Sequence, residues 1–140
     1  RKHARPHHLI PIITDEKRPA RLRVKAVQAL SYASDPDSET ILIDLVHGRL
    51  SSAPKLQQTA ARALGRRRSG DGLQALLETV TDGSDPKLQR ACIRALSTFS
   101  APQALRVLKA MRPDVDLRTR GILEDAIDAI TDRLENNRRR

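Results

Sequence analysis

His3 and His7 stand four residues apart, the interval at which two imidazoles on one helix face can share a divalent cation, and His8 follows directly. A metal site needs further donors held in a preorganised set, and this cluster sits at a chain end expected to fray. No metal is therefore assigned to it, and no cofactor to the chain. Cys92 is the single thiol, which excludes an internal disulfide and leaves a zinc site without its sulfur set. It occupies a position filled by Ala26 and Ala60 in two similar segments, which makes it a small packing residue. His47 has no partner nearby in sequence and is placed on the surface. Asp35, Asp37 and Glu39 cluster where a helix should start, and carboxylates there favour the positive end of the helix dipole, a simpler role than acid–base catalysis. Arg66-Arg67-x-Ser69 matches a basic-directed kinase site, a match short enough to arise by chance. Gly-x-Ser-x-Gly, His-Glu-x-x-His and Walker patterns are absent. With no catalytic constellation in view, the chain is read as non-enzymatic.

The elements that position these side chains come from a repeat. The segments LRVKAVQAL (22–30), LQQTAARAL (56–64) and LQRACIRAL (88–96) share Leu at the first position, a small residue at the fifth and Ala-Leu at the end. Successive copies start 34 and 32 residues apart, and a degenerate fourth, LRTRGILEDA (117–126), follows at 29 with Gly121 in the small position. Positions one, five, eight and nine share one face of an α-helix, and no strand-like alternation is present. Between the copies lie apolar runs centred on Leu42, Leu76 and Leu108, which predict a second, shorter helix in each unit. Pro36, Pro54, Pro86 and Pro102 suit helix starts, and the Ser, Asp and Gly around them supply caps and turns. At the front, LIPIIT (9–14) supplies the apolar helix paired with 20–33.

The whole chain thus predicts four helix pairs, approximately 7–34, 37–67, 70–99 and 102–135, in a single domain spanning 1–135 with a basic tail at 136–140 expected to be disordered. The fold class is all-α. One amphipathic pair cannot cover its own apolar face, so neighbours must stack into a solenoid, with Leu64 near its centre. The last helix carries Glu124, Asp125, Asp128, Asp132 and Glu135, the polar outer face that a terminal cap needs.

The stretch LIPIITDEKRPARLRVKAVQAL (9–30) resembles the HEAT repeat, and the short period with ALGRRRSGDGLQALLETV (63–80) resembles the short HEAT-like repeats first recognised in phycobilin lyase subunits. The resemblance implies an α-solenoid with a right-handed superhelical stack whose second helices line the concave face. It also implies an arginine after the first Leu that pairs with a loop aspartate and ties repeats together. Arg23 and Arg118 stand there, but Gln57 and Gln89 replace it in the middle units, so that ladder is weaker or built on amides.

Composition narrows the function classes. The only aromatics are Tyr32 and Phe99, so the core is aliphatic and stacking on extruded bases has one candidate, Tyr32. No apolar run reaches the ~20 residues that span a bilayer. The lone cysteine suits a reducing, cytoplasmic setting. The chain starts at Arg1 and is expected to be a segment of a longer protein.

The net charge of +9 is unevenly placed. Residues 1–25 carry eight Lys/Arg against two acids, and 114–135 carry three against seven. One flank of the second helices reads Arg21, Lys25, Gln28, Tyr32, then Lys55, Thr59, Arg62, Arg66, then Lys87, Ala91, Arg94, Thr98. Seven of these twelve are basic and none is acidic. Stacking should align Arg21, Lys55 and Lys87 in one row and Gln28, Arg62 and Arg94 in another. Such a ridge attracts an oppositely charged partner, although a solvated face would look the same. The first reading is a scaffold for protein–protein interaction that binds an acidic protein through Arg21, Lys25, Lys55, Arg62, Arg66, Lys87 and Arg94, with head-to-tail self-association through the basic and acidic ends. The second is nucleic-acid binding driven by the phosphate backbone, which HEAT-like DNA glycosylases show the fold allows. A third, an accessory subunit to an enzyme, rests on the family resemblance alone.

Within GRRRSGDG (65–72), three arginines precede a helix start. By alignment with the other units, Arg66 extends the basic strip. Arg67 is expected to pack its stem and turn its head outward. Arg68 lies in the turn at the negative end of the helix.

Overall fold

The computed structural model describes residues 6–139. The first pair is α1 (Pro6–Thr14) and α2 (Ala20–Leu30), the second α3 (Pro36–Val46) and α4 (Pro54–Arg67). The third is α5 (Gly70–Val80) and α6 (Pro86–Leu96), the fourth α7 (Pro102–Ala110) and α8 (Leu117–Arg138). A short 3-10 turn, Arg112–Asp114, joins the last two helices. No strand occurs among the described residues. The second helices stack in one layer, α2 on α4 on α6 on α8, and α1, α3 and α5 stack in the other. This is the all-α solenoid of four helix pairs that the repeat predicts.

The helix starts follow the sequence signals. Proline opens α3, α4, α6 and α7, where its missing N–H costs nothing. Side chains cap four starts. Asp35 accepts from the Ser38 amide at 2.9 Å, Ser69 from Gly72 at 3.1 Å, Asp85 from Leu88 at 3.2 Å and Asp116 from Thr119 at 2.7 Å. Ser69 is thereby a helix cap, and its hydroxyl also bonds Glu39. The core runs continuously along the stack through Leu30, Leu42, Leu64, Leu76, Leu96, Leu108, Leu123 and Ile130, all buried. Cys92 is buried in it, and burial first, then the nearby Asp85 charge, pushes its thiol up to about 12.

The fourth copy sits in a different register. Leu117 is 83% exposed and Gly121 faces open space, so neither fills its expected core place. Asp85 and Asp116 cap equivalent starts, 31 residues apart, and this aligns the helices. Thr119 then takes the place of Leu88, Leu123 that of Cys92, and Ile127 that of Leu96; all three are buried. Arg118 is consequently exposed and is not the counterpart of Arg23. The helix also continues to Arg138, drawing the first three residues of the basic segment into its last turns. Arg140 lies outside the described residues.

The ladder is made of side chains that satisfy the loose carbonyls at helix ends. Arg23 donates to the Ile13 carbonyl at 2.8 Å, Gln57 to Val46 at 3.3 Å and Gln89 to Val80 at 3.1 Å. Each ties a second helix to the end of the first helix in its own pair. The amides therefore do the work of the arginine, and Arg23 itself reaches a carbonyl and the Ser51 hydroxyl at 3.4 Å, not a loop aspartate. A second set joins successive pairs. Arg67 bonds the carbonyls of Leu30, Ala33 and Asp35, Thr98 bonds Gly65 at 2.8 Å, and Arg133 bonds Ser97 at 2.6 Å and Phe99 at 3.0 Å. The head of Arg67 thus turns inward, against expectation, because three carbonyls and the Glu39 carboxylate at 2.9 Å offer what water would otherwise supply.

Candidate partner-binding face

All seven basic residues singled out in the sequence, Arg21, Lys25, Lys55, Arg62, Arg66, Lys87 and Arg94, are exposed on the second-helix layer. Helical periodicity explains this, since each flanks the buried stripe of its own helix. Among the described residues none of the seven lies within ion-pair distance of a carboxylate. Other positions of the strip behave differently. Thr59 and Ala91 are buried where adjacent helices meet, and Thr98 is half-buried in its bond to Gly65.

Six of the seven line three grooves. Arg62 and Arg66 line one between α2 and α4, together with Gln28 and Tyr32. Here the Arg66 guanidinium lies over the Tyr32 ring, 5.0 Å from its centroid, and donates to the phenol oxygen at 2.5 Å. Arg62, Lys87 and Arg94 line a second groove, of about 230 Å³, between α4, α6 and α8. Arg21 and Lys25 flank the exposed Leu22 at the open end of the stack. Lys55 is exposed at the start of α4 and lines none of these three.

The second groove holds two cations that the strip left out, Arg90 and Arg118. Lys87, Arg90 and Arg94 are spaced by three and four, a helix-face interval that the sequence already offers, one residue to the side of the strip position held by Ala91. Arg118 had no such signal, because its position depends on how α8 docks against α6. Arg90 is 9% exposed, and its Nη1 donates to the Thr119 hydroxyl at 3.3 Å. The Thr119 amide hydrogen bond holds the Asp116 carboxyl below the usual range, with Arg90 and Arg118 adding to the effect.

Two histidines look different in three dimensions. His7 stands 3.4 Å from Asp37 on the surface, whereas His3 lies outside the described residues. His47 is half-buried, with Nε2 3.2 Å from Glu78 and Nδ1 buried without a hydrogen-bond partner among the described residues; it does have a neighbour, supplied by the next repeat. Among the described residues no three His, Cys, Asp or Glu side chains gather to hold a metal, and no helix is long and apolar enough to cross a membrane.

Comparison with known proteins agrees with this architecture. The solved structure of human deoxyhypusine hydroxylase in complex with glycerol superposes with a TM-score of 0.78 at 21% identity, covering 93% of this chain and 44% of that one. The chain therefore spans less than half the length of that enzyme, and the likeness is one of fold. No curated protein sequence matches significantly. A family model for HEAT repeats matches residues 47–128, more than half of the chain. With its stacked helix pairs and this match, the chain belongs to the HEAT-repeat family and has its scaffold fold.

Proposed function

We propose that the chain is a non-catalytic interaction scaffold that binds an acidic protein surface through the basic face of its second helices, in the cytoplasm. One observation carries the reading. Several arginines elsewhere are bonded within the fold: Arg23, Arg67 and Arg133 on carbonyls, Arg49 and Arg112 on carboxylates. Among the described residues the seven on the second-helix face have no carboxylate partner within ion-pair distance. Their free charge supports attraction of an acidic surface over roughly the ~10 Å screening length at 0.1 M salt. The exposed acids of α8, Asp125, Asp128 and Asp132, support a secondary head-to-tail contact with the basic end of another copy.

The test compares the wild type with an Arg62→Glu/Arg94→Glu variant for binding to polyglutamate and to duplex DNA over a salt series. Binding to polyglutamate that the variant loses is the expected result. Equal binding by both proteins would discard this face. Tighter binding to DNA, with a log–log salt slope near about −6 if all seven cations meet phosphates, would replace the protein partner with a nucleic acid.

A further inference from the structure

We propose that the groove between α4, α6 and α8 binds a phosphate monoester on the acidic partner, a phosphorylated serine or threonine. The inference rests on the reading of the second-helix face as the docking face and names what its most charged part takes. Five cationic side chains, Arg62, Lys87, Arg90, Arg94 and Arg118, line this groove, with Gln58, Ala91 and Ile122 and no acid. None of the five forms an ion pair among the described residues. Asp116, the carboxylate whose titration feels Arg90 and Arg118, is held at the first turn of α8 by the Thr119 amide and lies outside the lining.

Crowding like charges costs free energy, and burying one without a counterion costs more. Arg90 is the buried member: the Asp116 carboxylate feels its charge but forms no ion pair with it, and among the described residues the Thr119 hydroxyl at 3.3 Å is its one side-chain hydrogen bond. An anion in the groove would relieve both costs. A single glutamate brings one charge and two coplanar oxygens. A phosphate monoester brings a charge near −2 and three acceptor oxygens. Four of the five cations are guanidinium groups, whose planar forks match phosphate oxygens in pairs. Phosphodiesters in a nucleic acid carry one charge each and are spread along a track. The five cations instead converge on one compact groove, which favours a single dianion.

Fluorescence anisotropy with three glutamate-rich peptides, identical except for phosphoserine, glutamate or serine at the centre, tests this. Inorganic phosphate and acetate at matched ionic strength serve as competitors, and a short duplex DNA as a fourth ligand. The phosphoserine peptide is expected to bind about tenfold more tightly than the glutamate peptide, the difference that one charge-assisted hydrogen bond contributes. Phosphate should compete better than acetate. Arg90→Lys, which keeps the charge and loses the fork, should erase the preference. Arg118→Ala should do the same at an exposed position that folding does not need. Equal affinity for the phosphoserine and glutamate peptides overturns the phosphate site and leaves the acidic-partner reading standing. No binding of any peptide at low salt overturns both. A preference for phosphoserine that survives Arg118→Ala overturns the location, and tighter binding of the DNA overturns the peptide as its source.

Discussion

Gly65 of α4 lies so close to Ala95 of α6 that a Cβ on the glycine would stand 2.8 Å from both the Cα and the Cβ of the alanine. The same contact brings the Thr98 hydroxyl to the Gly65 carbonyl at 2.8 Å. Small residues at these positions let the second helices stack closely, and that stack presents the basic face. Gly65→Ala gains up to about 1 kcal/mol of helix propensity. It must also push α6 away, and overpacking of this kind costs about 1–3 kcal/mol. Because the clash is with backbone, the net outcome is a lower urea midpoint. A midpoint equal to the wild type would show that the helices separate freely.

Arg67 and Glu39 form an ion pair of 2.9 Å with both side chains largely covered. Replacing Arg67 with Met strands the carboxylate and the carbonyls of Leu30, Ala33 and Asp35. The expected loss is about 3–5 kcal/mol, the range for breaking a buried pair from one side. Adding Glu39→Gln should recover part of that loss. A double variant whose destabilisation is the plain sum of the singles would mean that the pair is not coupled.

Arg68 closes α4 in the left-handed conformation, with φ 54° and ψ 38°. A side chain pays a steric penalty there that glycine avoids. Arg68→Gly should raise stability by about 0.5–1 kcal/mol, read from the thermal midpoint. Arg68→Val should lower it, since a β-branched residue tolerates this conformation less well.

Leu64 is fully buried at the centre of the stack. Leu64→Ala is expected to cost about 2–5 kcal/mol in denaturant unfolding. An unchanged unfolding curve would contradict the packing described for α4.

Acid should weaken the fold through two helix caps, Asp35 and Asp116, and through the Arg112–Glu124 ion pair. The Thr119 amide holds the Asp116 carboxyl down, and a hydrogen bond from Arg112 does the same for Glu124. Burial pushes Asp35 up, but the Ser38 hydrogen bonds and the Arg67 charge outweigh it, so it too is lowered. Unfolded carboxylates titrate near about 4. On acidification the unfolded chain therefore takes up protons first, and stability falls as the pH drops from about 5 toward the lowered native values. Asp116→Asn keeps a capping oxygen and removes one titrating group. Its stability should decline less steeply between pH 5 and pH 3 than that of the wild type, as followed by urea unfolding. Parallel decline would exclude Asp116 as a contributor.

The repeat was legible wherever local rules place residues. Leu30, Leu64 and Leu96 close similar segments and are all buried, and Pro36, Pro54, Pro86 and Pro102 each open a helix. The last unit misled because LRTR copies the letters of LRVK, while the cap at Asp116 sets the phase of α8 and turns Leu117 outward.

By itself, the sequence determined which side of each second helix is basic. A 3.6-residue period and one buried stripe put Arg62, Arg66 and Arg94 on the flank of their helices, where all three are exposed. Only the tertiary structure decided where individual arginine heads go. Arg67 is spent on the end of α2, and Arg90 is brought beside Arg118, because those outcomes depend on carbonyls and side chains that stacking delivers from other repeats. A helix carries its own face in its sequence, but the partners of a long flexible side chain belong to whichever helix packs beside it.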